Sequence, residues 1–471
     1  MPKILRPLDV YKELPGTNCG ECGEINCMAF AAKLIERVAS VDNCPPLFKN
    51  EYTSKFKSLL AILRPPVKEV VIGKGESALK IGGKVCVYRH ELTWYHQTAI
   101  AVDVSDEMAE DVLLKRVKAV DDFLIERIGM NLKLNMVAIR STSGNPEIFA
   151  KAVNKVCENT NLPIILCSYD ANVVEEALLV SSQFNPLIYA ATEKNWKEFA
   201  QLAKKYKCPL AVSAPGDVNL LKSLAKALRN FGLDDLVLDP GTYMVNDAFD
   251  ETVNILTMLR RAAIEKEDKD LGYPLMAVPA SIWISPEKDE VATKMREAYL
   301  ACSLITRYAD LLIMHSIDPW VVLPLVVGRQ SLYTDPRVPL SIAAKLYDVN
   351  EPDEKSPLYI TGNSALTYFL VKNDIESSGK GWLLCVDTGG ISLQSSVAGK
   401  RFTSDMIAEA VKEFDISSKI KHNSIILPGY AARLSGELED ALQGWKVFIG
   451  PRESSSIPKY LADVWQKEVN I

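Results

Sequence analysis

Short, nearly continuous apolar runs recur along the middle of the chain, separated by segments of helical periodicity. Eight such runs lie between about residues 98 and 316, at 100–104, 136–139, 164–167, 187–190, 210–213, 236–239, 275–278 and 311–314. Parallel strands buried on both faces have this pattern, and the helical segments supply the crossovers between them. Eight strand–helix units predict a (β/α)8 TIM barrel over residues 93–318. An open, doubly wound sheet is the alternative.

A second group of strand-like runs follows the barrel, at residues 358–360, 382–386, 424–427 and 446–449, and turn residues come directly after each one. We expect a C-terminal Rossmann-like α/β domain over residues 357–471, with its ligand pocket along the carboxyl edge of the sheet. Six prolines between residues 317 and 357 predict a Pro-rich linker at 319–356.

The N-terminal region holds four closely spaced cysteines, Cys19, Cys22, Cys27 and Cys44. A cuboidal 4Fe-4S cluster needs four thiolates that converge from different directions, and a cysteine-rich turn plus one cysteine beyond a helix supplies them. We therefore predict a cluster domain at 1–62, with the intervening helix at 28–41. A linker with a small sheet follows at 63–92, its strands at 70–72 and 84–88.

Zinc bound by four thiolates is the alternative at this site. Such sites usually come as two Cys-x-x-Cys pairs, and only one such pair exists here. The other six cysteines are scattered singly, and we expect them to act as small buried hydrophobic residues. They are Cys86, Cys157, Cys167, Cys208, Cys302 and Cys385.

Composition and charge exclude several classes of function. The 471 residues include 60 acidic and 54 basic ones, a formal charge of -6, with no dense basic run to bind nucleic acid. No apolar run approaches the length of a membrane span, and residues 1–6 lack the apolar core of a signal peptide. We expect a cytoplasmic protein without disulfides.

Three motifs together resemble one family. They are the cysteine intervals of two, four and sixteen residues before the Thr-Trp-Tyr-His of 93–96, the segment Ile-Thr-Gly-Asn-Ser-Ala-Leu-Thr-Tyr-Phe at 360–369, and the Asp-Thr-Gly-Gly of 387–390. The combination resembles the large subunit of the corrinoid iron–sulfur protein, which in archaea is the gamma subunit of the acetyl-CoA decarbonylase/synthase complex. The resemblance covers the whole chain.

The resemblance implies a methyl carrier, a component of a methyltetrahydropterin:corrinoid Co-methyltransferase. Its cobalt(I) accepts a methyl group from a methyltetrahydropterin, with tetrahydrosarcinapterin preferred, and delivers it to the nickel centre of acetyl-CoA synthase. The 4Fe-4S cluster returns oxidised cobalt(II) to cobalt(I). The implied partners are a smaller TIM-barrel subunit in a heterodimer, the acetyl-CoA synthase subunit, the methyltetrahydropterin or its methyltransferase, and a low-potential electron donor.

The resemblance also carries the corrinoid site onto strand-end residues of the C-terminal domain. They are Thr361, Thr367, Ile391, Ser392, Leu393, Gln394 and Gly450, with residues 428–431 as a second tier. Helix capping and turn formation are the alternative roles for any one of them.

None of the four histidines lies in an Asp-x-His-x-x-Gly motif, the usual source of a lower cobalt ligand. We therefore expect a base-off corrinoid with no protein imidazole and no catalytic side chain, because axial ligation sets metal potentials.

Three other functions stay open. One is an iron–sulfur electron-transfer subunit without a corrinoid, and another is an interaction module without a cofactor. In the third, the barrel is itself the pterin-dependent methyltransferase, with Asp103, Asp239 and Asn246 near strand ends. His315 follows the eighth strand, where a hydrogen-bonded structural role is the simplest expectation.

Overall fold

A computed structural model describes residues 5–243, 248–284 and 287–466. The chain divides into two compact units, one of Met1–Leu124 with Leu132–Tyr333 and the other of Ile125–Asn131 with Thr334–Ile471. No helix in the described part of the chain is long and apolar enough to cross a membrane. The fold class is confirmed as α/β with a small N-terminal domain and an eight-stranded parallel barrel.

The first unit begins with three helices, α1 (Pro7–Tyr11), α2 (Cys27–Ile35) and α3 (Thr53–Leu63); an irregular loop connects α1 to α2, and short 3-10 turns lie between α2 and α3. Their core is small and apolar, and Phe30, Leu47 and Leu59 are almost fully buried in it. The helix predicted at 28–41 ends early, because Arg37 adopts a left-handed conformation with φ 56°.

A two-stranded antiparallel hairpin, β1 (Glu69–Ile72) and β2 (Leu79–Gly82), follows α3. Its apolar side chains join the interior cluster of the barrel, and the Gly73 amide donates to the carbonyl of Asn185. The second strand predicted at 84–88 is wrong. The ladder ends at Gly82, where a φ of 77° turns the chain away from the hairpin. A side chain would not fit there, because a Cβ would lie 2.3 Å from the Lys68 carbonyl oxygen.

The next ten strands comprise eight barrel strands and one hairpin. They are β3 (Ala99–Ser105), the hairpin strands β4 (Leu124–Arg127) and β5 (Met130–Lys133), β6 (Met136–Arg140), β7 (Ile164–Cys167), β8 (Leu187–Ala191), β9 (Leu210–Ser213), β10 (Leu236–Asp239), β11 (Met276–Ala277) and β12 (Leu311–Met314).

The eight barrel strands are parallel and lie in the order β10-β9-β8-β7-β6-β3-β12-β11. A parallel bridge between Leu238 and Leu275 joins the two ends of this order and closes the ring. All eight predicted runs therefore form barrel strands. The β4–β5 hairpin was not predicted, because its short strands alternate exposed with partly buried residues.

The helices of the first unit after the hairpin are α4 (Glu110–Asp121), α5 (Pro146–Asn159), α6 (Ala171–Ser181), α7 (Trp196–Tyr206), α8 (Val218–Asn230), α9 (Ala248–Glu265), α10 (Glu290–Thr306) and α11 (Pro319–Tyr333). Side-chain caps fix several starts. Asn145 accepts from the amides of Glu147 and Ile148, and Asp170 caps α6 in the same way.

The second unit contains a five-stranded sheet of β13 (Leu346–Val349), β14 (Leu358–Gly362), β15 (Gly381–Val386), β16 (Ser424–Leu427) and β17 (Lys446–Ile449). Its helices are α12 (Ala365–Ser378), α13 (Leu393–Ala398), α14 (Ser404–Glu413), α15 (Ile416–Lys419), α16 (Ser435–Ala441) and α17 (Ile457–Tyr460). The four predicted strands are present and parallel, in the order β15-β14-β16-β17.

Two stretches of the predicted Pro-rich linker have regular structure. Residues Pro319–Tyr333 form α11, with Pro324 inside the helix, and Leu346–Val349 form β13, which pairs antiparallel with β15 at the sheet edge. Separate apolar clusters lie on the two faces of the sheet. The domain boundaries and the Rossmann-like classification stay predictions.

Candidate functional site

Two of the four N-terminal cysteines, Cys19 and Cys22, lie on an irregular loop, Cys27 begins α2, and Cys44 lies between two 3-10 turns. Glycines at 20 and 23 have φ of 76° and 85°, which L side chains rarely adopt, so the loop folds tightly around Cys19 and Cys22. Asn18 Oδ1 accepts the amide of Cys27, the first residue of α2.

The four thiols approach one another at the edge of the small apolar core. Cys27 and Cys44 are 7% and 5% exposed, whereas Cys19 is exposed. Burial raises the pKa of the Cys44 thiol, a hydrogen bond from the Leu47 amide lowers it, and the three neighbouring thiols raise it again. Four closely spaced thiols are the ligand set that an iron–sulfur cluster requires, and the assignment of Cys19, Cys22, Cys27 and Cys44 as its ligands stays a prediction.

Among the described residues, no group of three or more His, Cys, Asp or Glu side chains is arranged to hold a single metal ion. The other six cysteines are buried or partly buried. Burial raises the pKa of the thiols of Cys157, Cys167 and Cys385 to about 12.

A cavity of about 240 Å³ opens at the carboxyl edge of the five-stranded sheet. It lies between β14 and β16, where the order of the parallel strands reverses, the usual place for a ligand crevice in such sheets. Its lining comprises Tyr359, Ile360, Thr361, Thr367, Leu370, Val371, Ser392, Leu393, Gln394, Ile426, Leu427, Pro428, Tyr430, Gly450, Pro451, Arg452, Glu453, Ser454 and Ile457.

Two buried hydroxyl groups in this lining have no hydrogen-bonding partner within the described residues. They belong to Thr361, which is 2% exposed, and to Tyr359. An unpartnered buried hydroxyl costs about 1–3 kcal/mol. Burial also raises the pKa of Tyr359 well above its usual value, so this group stays a neutral donor. The lining of the cavity therefore includes residues whose neutral hydroxyl groups have unused hydrogen-bonding capacity.

Asn363 connects the loops after β14 and β15. Its Oδ1 accepts from the amides of Thr388 and Gly390 and from the Thr388 hydroxyl, while its Nδ2 donates to Asp387 and to the Ile342 carbonyl. These bonds hold the loop that leads to Ser392. From the sequence alone, Asn363 is placed only within the motif at 360–369, and its position directly after a buried strand is the signal that identifies a residue able to connect two loops.

The structure brings six of the seven predicted corrinoid residues to this cavity: Thr361, Thr367, Ser392, Leu393, Gln394 and Gly450. Ile391 is outside the lining, and its carbonyl accepts from the hydroxyls of Thr388 and Ser396. Of the second tier, Pro428 and Tyr430 line the cavity. Their roles stay predictions.

Sequence reasoning missed the helical wall of the cavity. Leu370 and Val371 follow Thr367 at three and four residues along α12, the spacing of one helix face. Tyr359 precedes Thr361 by two residues, so both side chains lie on the same face of β14. These neighbours can be found from the predicted residues by counting three or four positions along a helix, or two positions along a strand.

No histidine is among the described residues that line the cavity. His422 is the one histidine in the sequence of the second unit, and its Nε2 pairs with the Ser356 carbonyl before β14, at the amino edge of the sheet. In the first unit, His96 Nε2 lies 2.5 Å from Glu69 Oε2, and His315 Nδ1 lies 2.7 Å from Asp103 Oδ1.

Two of the three residues named for a pterin-dependent methyltransferase lie at the same end of the barrel. Asp103 and Asp239 are each 2% exposed at the carboxyl end of the barrel. Asp239 accepts from Tyr189, Ser213 and the Gly241 amide, and Asn246 lies outside the described residues.

Two family models match the chain. One, described as "CO dehydrogenase/acetyl-CoA synthase delta subunit", matches residues 69–461, and one described as "Putative Fe-S cluster" matches residues 14–46. Subunit gamma 2 of the acetyl-CoA decarbonylase/synthase complex of Methanosarcina thermophila is 44% identical over 467 residues, covering 98% of this chain and 99% of that one.

A more distant relative is subunit gamma of the same complex in Methanothermobacter thermautotrophicus. It is 40% identical over 455 residues and covers 96% of this chain and 98% of its own. Among solved structures, dihydropteroate synthase from Thermus thermophilus aligns with a TM-score of 0.40 and 14% identity, over 57% of this chain and 100% of its own. That similarity is too weak to support an argument.

The fold and the thiol loop define an α/β barrel protein with an N-terminal iron–sulfur domain. The chain belongs to the family of the gamma subunits of acetyl-CoA decarbonylase/synthase complexes, the large subunit of the corrinoid iron–sulfur protein. The family predicted from the motifs is confirmed.

Proposed function

We propose that this chain is a methyl carrier that holds a corrinoid in the cavity at the carboxyl edge of its C-terminal sheet. It receives the methyl group from a methyltetrahydropterin, with tetrahydrosarcinapterin as the preferred pterin. It delivers the group to the nickel centre of acetyl-CoA synthase, for synthesis or cleavage of acetyl-CoA. The bound corrinoid supplies a cobalt centre that alternates between a methylated and a reduced state.

One observation carries this proposal: the cavity has the chemistry that a corrinoid edge needs. A corrin ring bears amide side chains whose oxygens take hydrogen bonds from hydroxyl groups, and the lining includes Tyr359 and Thr361, whose buried hydroxyls have no partner within the described residues. At about 240 Å³ the cavity is smaller than the cofactor, so it would hold only part of the corrinoid. Leu370 and Ile426 in the lining would supply apolar contacts to the bound group.

The absence of a histidine from the described lining and the position of His422 at the other edge of the sheet support base-off binding. The cysteine domain supplies the reducing partner. A hydrogen bond from the Leu47 amide to the Cys44 sulfur tunes the potential of a cluster bound there.

The proposed partners follow from this exchange of methyl groups and electrons. They are a smaller TIM-barrel subunit, the acetyl-CoA synthase subunit, the methyltetrahydropterin or its methyltransferase, and a low-potential electron donor. The relatives are named as subunits of a complex, which supports a multi-subunit assembly for this chain as well.

The test is metal analysis and spectroscopy of the full chain purified without oxygen and reconstituted with cobinamide, iron and sulfide. We expect about one cobalt and four irons per chain, with the ultraviolet-visible spectrum of a base-off corrinoid. Protein that takes up no corrinoid under these conditions contradicts the proposal.

A pair of cysteine variants separates the cluster from the corrinoid. Cys44→Ser removes one cluster thiolate, and Cys302→Ser removes a partly buried thiol on α10. We expect Cys44→Ser to lose the 4Fe-4S signal and the reduction of cobalt(II) while it keeps bound cobalt, and Cys302→Ser to keep all three. Stoichiometric zinc in place of iron contradicts the redox role.

A further inference from the structure

The interior of the barrel changes character at its carboxyl end. Alternate strand residues face the interior. In the lower layers they are apolar: Ala99, Ala101, Met136, Ala138, Ile165, Leu187, Ala211, Val237, Met276, Leu311 and Ile313. The same alternation places one mostly polar layer above them: Asp103, Arg140, Cys167, Tyr189, Ser213, Asp239, Val278 and His315.

Asp103 orients two of the polar groups in this layer. Its side chain is 3% exposed, and its Oδ2 lies 2.6 Å from Arg140 Nε while its Oδ1 lies 2.7 Å from His315 Nδ1. Arg116 adds a third contact, with Nε donating to the Asp103 carbonyl at 2.8 Å. The guanidinium group of Arg140 and the imidazole of His315 therefore both contact the carboxylate of Asp103.

Both groups keep donor atoms that the protein does not use. Asp103 engages Nε of Arg140 and Nδ1 of His315, and across residues 5–243, 248–284 and 287–466 neither the terminal nitrogens of Arg140 nor Nε2 of His315 has a hydrogen-bonding partner. Their side chains are 40% and 28% exposed, so a ligand from solvent reaches them. Trp283 packs against the imidazole with ring centroids 4.7 Å apart.

The other carboxylates near this layer already have donors. Glu297 accepts from the amides of His315 and Ser316 and from Trp283 Nε1, and Asp106 accepts from residues 141–143. Asp239 is bonded to Tyr189 and Ser213. Around Asp103 itself, two guanidinium groups face a single carboxylate, which leaves positive charge to neutralise.

We propose that the carboxyl mouth of the barrel binds an oxyanion, the carboxylate or phosphate group of a small-molecule ligand, between the terminal nitrogens of Arg140 and Nε2 of His315. A guanidinium fork held at its Nε presents parallel N–H groups to two oxygens, and the imidazole, with a proton on both ring nitrogens, donates from Nε2 to one of them. This site goes beyond the methyl carrier, which uses the cavity of the other unit, so either proposal survives failure of the other.

The experiment uses the full chain labelled with 13C at Cε1 of histidine. The sequence has only four histidines, and His315→Gln assigns the resonance of interest. Inorganic phosphate and glutarate are titrated separately at constant ionic strength, against sodium chloride as the control. We expect a saturable shift of the His315 resonance with at least one probe, while His90, His96 and His422 stay unchanged.

Matched arginine variants complete the test. Arg140→Gln weakens binding about tenfold, because it removes a charge-assisted bidentate contact. Arg261→Gln, at an exposed arginine paired with Glu265 on α9, leaves the affinity unchanged. If Arg140→Gln does not fold, Arg140→Lys keeps the charge and loses the fork, and we expect intermediate affinity.

A response to phosphate alone identifies a phosphate group, and a response to glutarate alone identifies a carboxylate. No saturable shift with either probe overturns the proposal, as does the same shift in chloride, which marks an adventitious ion only. Undiminished affinity in the Arg140 variant overturns it as well.

Discussion

The two parallel sheets of the chain end in opposite ways at their carboxyl edges. At the barrel mouth, charged side chains bond one another, with Asp103 holding Arg140 and His315. At the edge of the C-terminal sheet, the buried groups are neutral, and the hydroxyls of Tyr359 and Thr361 have no partner within the described residues. Similar strand–helix units therefore produce one edge suited to a charged ligand and another suited to a large neutral ligand.

This difference shows what each edge gains from a ligand. At the barrel mouth the buried carboxylate of Asp103 has its partners within the protein, so the ligand-free site is already stable, and a ligand neutralises only the positive charge that remains on the partly exposed side chains. The buried hydroxyls at the sheet edge have no partner within the described residues, and an unpartnered buried hydroxyl destabilises the protein until a ligand accepts its hydrogen bond. Substitutions at the two edges should therefore act with opposite sign on the ligand-free chain.

The largest effect is expected for Asp103→Asn at the barrel mouth. We expect a loss of about 2 kcal/mol in the free energy of unfolding at pH 7, below the range for fully buried pairs because Arg140 is partly exposed. Burial opposes the charge of Asp103, but the hydrogen bond from His315 and the nearby arginines outweigh it and lower its pKa.

The pH dependence of this loss has a definite sign. A carboxyl whose pKa is lowered on folding contributes stability above its unfolded value, about 3.9, and loses that contribution as pH falls through the folded value. Urea denaturation at pH 7 and below pH 4 measures it. A destabilisation that is equally large at both pH values contradicts the ion-pair account.

Asp239→Asn should have a smaller effect, with the opposite pH dependence. Burial raises the pKa of Asp239, although hydrogen bonds from Tyr189, Gly241 and Ser213 lower it. A carboxyl with a raised pKa costs stability as pH rises above about 3.9. The free energy of unfolding of the variant, relative to that of the parent chain, should therefore be higher at pH 7 than at pH 4. At pH 7 we expect the two to differ by less than about 1 kcal/mol. If the change in the free energy of unfolding varies with pH in the same direction for both aspartate variants, the proposed difference between Asp103 and Asp239 is wrong.

The sequence predicts one edge better than the other, for physical reasons. The barrel strands are continuous apolar runs, so their positions follow from burial alone, and Thr361 and Gly450 follow from strand-end turns and the family motif. The polar layer of the mouth combines residues up to 212 positions apart, such as Asp103 and His315, and their pairing needs β3 and β12 to lie side by side in the barrel. The edge strand β13 was missed because its partly buried residues lack a clear apolar run.

Thr361→Val tests the sheet edge with an isosteric change. Removing the unpartnered hydroxyl should stabilise the cofactor-free chain by about 1 kcal/mol and weaken corrinoid binding about fivefold, because the hydroxyl is then missing from the bound state. Thr388→Val is the control, since that hydroxyl bonds Asn363 and its loss destabilises the chain. Urea denaturation and cobinamide titration measure both quantities. A destabilised Thr361→Val variant shows that the hydroxyl has a partner.

The smallest effect on stability is expected for Leu370→Ser on α12. Leu370 is 54% exposed, so its replacement changes the free energy of unfolding by no more than about 0.5 kcal/mol. It also lines the cavity, and losing its contact with a bound corrin ring should weaken cobinamide binding about tenfold. Leu366→Ser is the matched control, because Leu366 is 55% exposed one turn earlier on the same helix and is not part of the lining. Equal affinities for the two variants would mean that the ring does not contact this wall, and the neutral edge would then bind its ligand through the strand-end loops alone.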